Sequence, residues 1–324
     1  MTVQSNNDTL ITIFGGSGFL GRHLVRALAR RHYRIRVAVR RPDLAGHLQP
    51  LGRVGQIHAV QANVRDAASV EAAVRGADVV INLVGILFER GRQRFDTVMG
   101  YGAEQVALAA SAHGARMIQV SSIGADEHSA SAYARAKAEG EKAVLAAKPE
   151  AVIVRPSIMF GPEDDFFNKF AAMARLLPAL PLIGGGATKF QPAFVGDVAE
   201  AIARAVDGEA KAGTTYELGG PEVRTFKELM EFVLDITERR RFLIPLPFGL
   251  AKFKAAFLQL MPTPLLTRDQ VEQLKADNVV SATAEAERRT LRGLGIEPVA
   301  MATIVPSYLW RFRKTGQFKT GRFA

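Results

Sequence analysis

One local pattern constrains this chain more than any other. The apolar run at residues 10–14 passes directly into Gly15-Gly-Ser17-Gly18-Phe19-Leu20-Gly21, and a helix-like stretch follows over 19–31. Each glycine in a Gly-x-x-Gly-x-x-Gly turn has its own physical task. The first permits a tight turn, the second lets the backbone approach a pyrophosphate, and the third lets the helix lie close on the strand. The helix N-terminus adds free N–H groups and the positive end of its dipole. A strand before the glycines and a helix after them raise this above an ordinary strand–helix turn. The expectation is a dinucleotide site at the first turn.

The rest of the first half repeats the rhythm. Apolar runs at 34–39, 56–60, 79–84, 117–121 and 151–155 read as strands, and helical patterns lie between them at 67–75, 101–113 and 132–147. Such alternation predicts an α/β fold: a doubly wound parallel Rossmann sheet, its central strands apolar throughout because both faces are covered. The second half is less regular and rich in Pro and Gly. It predicts a smaller mixed C-terminal domain for substrate or partner. We place the domains at 1–160 and 161–324, with a strand and helix near 188–206 returning to the first. Thr225–Glu228 and Thr267–Gln270 have the form of capping boxes that open helices. With 324 residues, 48% of them hydrophobic, the chain can bury a core unaided. Cys is absent, which excludes disulfides, thiolate metal sites and cysteine nucleophiles, and the six His lack metal-ligand spacing, so no metal is expected.

The end of the second strand discriminates between cofactors. Enzymes that take NAD place an acid there for the ribose 2′-hydroxyl. Here the strand ends Val37-Ala-Val39-Arg40-Arg41. Guanidinium groups match phosphate, so Arg40 and Arg41 point to NADPH in preference to NADH. This bears on the formal net charge of +10, which alone would suit nucleic acid, an anionic membrane or an anionic ligand. Residues 22–53 carry +8 and residues 311–324 carry +5, so the basicity sits in two places. No nucleic-acid-binding module accompanies it.

Tyr133 and Lys137 stand at i,i+4 and share one helix face. A lysine beside a phenol favours the phenolate and could also hold a nicotinamide ribose. Ser122, at the end of the fifth strand, could hydrogen-bond a substrate oxygen.

In this order the turn, Ser122, Tyr133 and Lys137 resemble the extended short-chain dehydrogenase/reductase superfamily. Arg155-Pro156-Ser157-Ile158 through Gly161-Pro, the segment around Asp197, and Tyr216 to Gly220 resemble its later elements, with Asp197 expected to cap a helix. A narrower likeness runs along nearly the whole chain, through Gly161 to Asn168, Pro181 to Gly186 and Thr267 to Val271. It is to the atypical branch typified by the NADPH-binding accessory subunit of respiratory complex I and its alphaproteobacterial relatives. The resemblance implies a bound NADPH of mainly structural use and partners in the peripheral arm of complex I. It carries over as cofactor-binding residues Gly15, Ser17, Gly18, Phe19, Leu20, Gly21, Arg40, Arg41, Asn63, Val64, Val84, Gly85, Tyr133, Lys137, Pro156, Ser157 and Ile158. Asn63 departs from the superfamily's more usual Asp, and the 11 residues from Ser122 to Tyr133 are fewer than in many sugar epimerases. The other reading is a soluble NADP(H)-dependent reductase or epimerase using Ser122, Tyr133 and Lys137.

Leu250, Phe253, Phe257 and Leu260 fall on one helical face, with Lys254 beside them. The stripe reads either as a helix closing a substrate cleft or as a docking face for a partner or membrane. No apolar run is long enough to span a bilayer, and the N-terminus lacks a signal-peptide pattern. A cytoplasmic protein is expected, with the basic tail from Arg311 available to touch the inner face of the membrane.

Overall fold

The computed structural model describes residues 6–262 and 264–316. It divides into two units. The first runs to Pro156 and regains the chain at Gly196–Leu218 and Ser281–Glu297; the second takes Ser157–Val195, Gly219–Val280 and the segment from Pro298.

The first unit is built on strands β1 (Leu10–Phe14), β2 (Arg34–Val39), β3 (Ile57–Gln61), β4 (Val79–Asn82), β5 (Arg116–Val120), β6 (Val152–Pro156) and β11 (Thr215–Leu218). They form one seven-stranded sheet in the order β11-β6-β5-β4-β1-β2-β3, every pair parallel. The expected doubly wound α/β fold is therefore present. The order reverses direction between β1 and β4, and ligands of such sheets bind beyond the strand ends at that reversal.

Side-chain alternation along β1 shows how both faces are filled. Thr12 and Phe14 face helices α2 (Ala67–Val74), α3 (Gly102–Ala112) and α4 (Ala132–Ala147): the Thr12 hydroxyl donates to the Ala73 carbonyl, and Phe14 joins a core with Val70, Ala103, Val106 and Val144. Ile11 and Ile13, fully buried, face the opposite side. There α1 (Phe19–Arg30) buries Leu24, Val25 and Leu28. The end of that helix is tied to α6 (Val195–Asp207), since Arg31 donates to Glu200 at 2.6 Å and to Asp207 at 2.9 Å. Tyr33, entering β2, donates its hydroxyl to the same Asp207 at 2.7 Å. α6 begins at Val195, so Asp197 stands in its first turn rather than at the position before it. A carboxylate there meets the positive end of the helix dipole.

The second unit holds three two-stranded sheets. β7 (Met159–Phe160) pairs β10 (Ala193–Phe194) and β8 (Ala179–Ile183) pairs β13 (Phe242–Leu246), both parallel; β9 (Lys189–Phe190) pairs β12 (Arg224–Thr225) antiparallel. Helices α5 (Phe166–Leu176) and α7 (Phe226–Ile236) enclose a core of Phe160, Phe167, Phe190 and Phe226. Both capping boxes form: Thr225 opens α7 with Glu228, and Thr267 opens α9 (Arg268–Gln273) with Gln270. The stripe on α8 (Phe248–Leu258) does not face this unit's interior. Ala251 and Ala255 pack inward, while Leu250, Phe253 and Phe257 are 47%, 62% and 61% exposed.

Candidate functional site

The glycine turn lies between β1 and α1, at the reversal of strand order. Three of its glycines, at 15, 18 and 21, play three different parts. Gly15 adopts φ +78°, a left-handed conformation that costs other residues. At Gly21 a Cβ would stand 2.5 Å from the Gly16 carbonyl carbon, so the helix could not lie this close to the turn with a side chain there. Gly18 has neither constraint: its φ is −77°, and a Cβ would meet only the Gly15 oxygen at 3.4 Å. Its missing side chain leaves the outer surface of the turn open rather than relieving a clash within the protein. Among the described residues no side chain caps α1, and no acid stands in its first turn. An open backbone cradle with uncapped N–H groups fits the pyrophosphate of a dinucleotide.

At the end of β2, Arg40 and Arg41 are both exposed. Arg41 is engaged: its Nη2 lies 2.7 Å from Asp43, its Nε donates to the same carboxylate, and this pairing holds the Asp43 carboxyl below its usual range. Among the described residues Arg40 has no ion pair. Beyond β3, the Asn63 side-chain oxygen accepts from the Arg65 backbone N–H at 3.2 Å, and Asn63 is further tied to the Ser69 hydroxyl. Val64 is buried and packs where a Cβ on Gly102 would reach it at 2.8 Å.

The ends of β4 and β5 meet α4. A Cβ on Gly15 would be 3.3 Å from Val84, and one on Gly85 would be 3.5 Å from the Lys137 ammonium. Lys137 is buried, donates to the Val120 carbonyl at 3.4 Å, and stands 5.9 Å from the centroid of the Tyr133 ring. Tyr133 is half-buried, its ring edge-on to Phe95. Thus Gly15, Val84, Gly85, Tyr133 and Lys137 converge. Two features fix α4 in place. Gly140 lets it approach so closely that a Cβ would lie 2.2 Å from the Met99 carbonyl oxygen. Glu141, one turn after Lys137, receives both arms of Arg155 at 2.9 and 2.6 Å. That hydrogen-bonded pair holds the Arg155 guanidinium above its ordinary value. Arg155 also reaches Glu217 at 3.6 Å.

Ser122 is half-buried after β5, but its neighbour Ser121 is buried, and among the described residues the Ser121 hydroxyl oxygen has no hydrogen-bond partner. The sequence reading missed Ser121, since nothing in a pair of adjacent serines tells which one is left unsatisfied. It also missed the buried Asn82–Gln119 pair, in which the Asn82 amide donates to Gln119 at 2.9 Å while the Asn82 oxygen accepts from the Val84 N–H. Pro156 closes β6. Ser157 and Ile158 belong to the second unit, where the Ser157 hydroxyl and the Ile158 N–H both donate to the Asn278 side chain.

The sequence profile of the NAD dependent epimerase/dehydratase family matches residues 11–219. The chain belongs to that family. Within the epimerase/dehydratase family its strong likeness is to subunits of a respiratory enzyme. It is 40% identical to NADH dehydrogenase (ubiquinone) 1 alpha subcomplex subunit 9, mitochondrial, of Arabidopsis thaliana, over 97% of this chain and 80% of that protein. It is 33% identical to the NADH-ubiquinone oxidoreductase 40 kDa subunit, mitochondrial, of Neurospora crassa, over 95% of this chain and 80% of that one. Among solved structures, the NADPH-dependent quinone oxidoreductase from Escherichia coli complexed with NADPH superposes with a TM-score of 0.70, at 22% identity, over 93% of this chain and 99% of that one. That last likeness is one of fold. The epimerase/dehydratase profile covers the glycine turn and α4, so a nicotinamide cofactor is the ligand class for this site.

Proposed function

We propose that this chain is an NADP(H)-binding accessory or assembly subunit of NADH:ubiquinone oxidoreductase, working at the cytoplasmic face of the membrane. The observation that carries the reading is the likeness along 97% of the chain to a subunit of that enzyme. A likeness confined to the nucleotide fold would have left any reductase equally suitable.

In this reading Gly15, Ser17, Gly18, Phe19, Leu20 and Gly21 hold the pyrophosphate. Arg40 meets the 2′-phosphate first, and Arg41 follows by exchanging Asp43 for it. Asn63 and Val64 border the adenine. Val84, Gly85, Tyr133 and Lys137 hold the nicotinamide ribose, with Pro156, Ser157 and Ile158 beside the ring. When bound, the dinucleotide can supply hydride chemistry. Ser122, Tyr133 and Lys137 are the groups that would serve it, but here their task is to hold the ligand. Binding stabilises the folded chain by mass action, about 4 kcal/mol at a thousand times the dissociation constant. The start of the basic tail is packed on the second unit, with Arg311 donating to Asn168, Phe312 buried and Arg313 paired with Glu238 at 3.4 Å, so membrane contact in this reading falls to the bases from Lys314 on; residues 317–324 lie outside the described residues.

Affinity purification of the tagged chain from native membranes, with and without residues 311–324, tests this. Recovery of complex I subunits is expected. A lone oligomer that oxidises NADPH with added carbonyls or quinones would replace this reading with that of a reductase. Tyr133→Phe sharpens the distinction: an accessory subunit keeps its assembly, whereas an enzyme loses about 10²–10⁴-fold in rate.

A further inference from the structure

From the exposed face of α8 we infer a second binding surface, one that docks the chain in the plane of an anionic phospholipid bilayer. It requires no nucleotide and no partner subunit, only the lipid.

The argument begins with which residues α8 buries. A helix on a soluble globule turns its large apolar side chains inward. Here the inward face is Ala251 and Ala255, packed with Ile183 and Val271, with Phe248 partly buried at the helix start. Three of its large side chains point out, Leu250, Phe253 and Phe257, followed by Leu260 after the helix at 79% exposure. The Phe253 and Phe257 rings pack edge to face at 5.3 Å, so they form one apolar ridge. Left in water, a ridge of this kind is unfavourable by about 25 cal/mol per Å² of apolar surface.

Charge decides what covers it. From Arg239 to Arg268 the chain has six basic residues and no Asp or Glu. Lys252 is neutralised from outside that stretch, by Glu272 at 2.7 Å. Arg240, Lys254 and Arg268 are exposed and have no ion pair among the described residues. Lys254 lies on the flank of the ridge, one residue from Phe253. Its long apolar stem lets the ammonium reach upward while the phenyl rings go down. Aromatic and Leu side chains on one face, with an unpaired lysine on its flank and further unpaired bases in the segments on either side, are the signature of a helix that lies in the headgroup region. Among the described residues no helix is long and apolar enough to cross a membrane, which leaves α8 lying along the surface. A protein partner would need fixed acids opposite three separate cations. Anionic headgroups are mobile and supply them wherever the bases fall.

The test uses the full purified chain and sedimentation with two kinds of vesicle, phosphatidylcholine alone and phosphatidylcholine mixed with phosphatidylglycerol. Binding to the mixed vesicles is expected, weakening as salt rises. Phe253→Glu with Phe257→Glu should reduce it on the order of a hundredfold, because two phenyl rings no longer leave water. Lys254→Gln with Arg268→Gln should reduce it by about tenfold or more at low salt and have little effect on phosphatidylcholine alone. All four positions are exposed, so thermal unfolding and NADPH binding should match the parent chain in both variants. Three results would overturn the inference: no binding to the mixed vesicles, unchanged binding of the phenylalanine variant, or a dimer of the parent chain that this variant abolishes while vesicle binding persists.

Discussion

Arg40 and Arg41 are adjacent in sequence but differ in circumstance. Arg41 already has a carboxylate, whereas Arg40 has none among the described residues. Arg40→Ala should therefore weaken NADPH binding by about ten- to a hundredfold, the worth of a charge-assisted hydrogen bond, and leave NADH binding nearly unchanged. Titration calorimetry with both nucleotides checks this, and equal losses for the two would remove Arg40 from the 2′-phosphate. At Gly21 the obstacle is backbone rather than a yielding side chain. Gly21→Ala should lower stability by about 1–3 kcal/mol even without ligand, visible as a drop in the thermal midpoint. Both positions were legible in the sequence, because spacing alone specifies where a turn needs glycine and where a strand ends. The pairing of Arg41 with Asp43 was not, since it depends on how the chain turns after Pro42. Nor was the unsatisfied Ser121 hydroxyl, because burial of one serine and not its neighbour is decided by tertiary packing.

At the scale of elements, the helix bearing Tyr133 and Lys137 is held by residues with no chemistry of their own. The Gly140 contact with Met99 and the Arg155–Glu141 pair set where α4 lies. The sequence bounded α4 well, over 132–147, because Ser131 caps it and its apolar positions recur at helical spacing. It gave no hint of these two anchors, which join residues distant in the chain. The tie between the start of β2 and α6 yields a pH prediction. Burial first, then the hydrogen bond to Asp207, pushes the Tyr33 phenol up to about 12. A raised folded value means that this contribution is intact below the phenol's unfolded value near 10 and is lost as pH rises through about 12. Tyr33→Phe should be less stable than the parent at neutral pH, with the gap closing between those values. Parallel denaturant melts at rising pH measure it, and a constant gap would contradict it. The α8 stripe shows the limit of periodicity. The spacing located the helix and grouped its apolar residues, but period is silent on direction, and here the alanines took the interior.

For the molecule as a whole, strand–helix alternation was enough to predict a doubly wound sheet, and the sheet order places the glycine turn at its point of reversal. Alternation alone did not supply the seventh strand, because β11 joins the sheet after an intervening second unit; the family resemblance at Tyr216 to Gly220 is what pointed to a late strand there. If the nucleotide is a structural component, saturating NADPH should raise the thermal midpoint of the whole chain, and NADH at equal concentration should raise it less. Indistinguishable midpoints would argue against a structural cofactor. The interleaving of the two units has a consequence for synthesis. The first unit's edge strand β11 is covered by residues that come more than sixty positions later: the Arg289 carbonyl accepts from the Glu217 N–H, and the Ser281 N–H donates to the Glu217 carboxylate. A ribosome delivering this chain in order therefore exposes an unfinished parallel sheet until residues 281–289 have emerged. A stop codon just after residue 280 would spare the whole glycine turn and α4, yet leave β11 uncovered and prone to pair with another nascent chain.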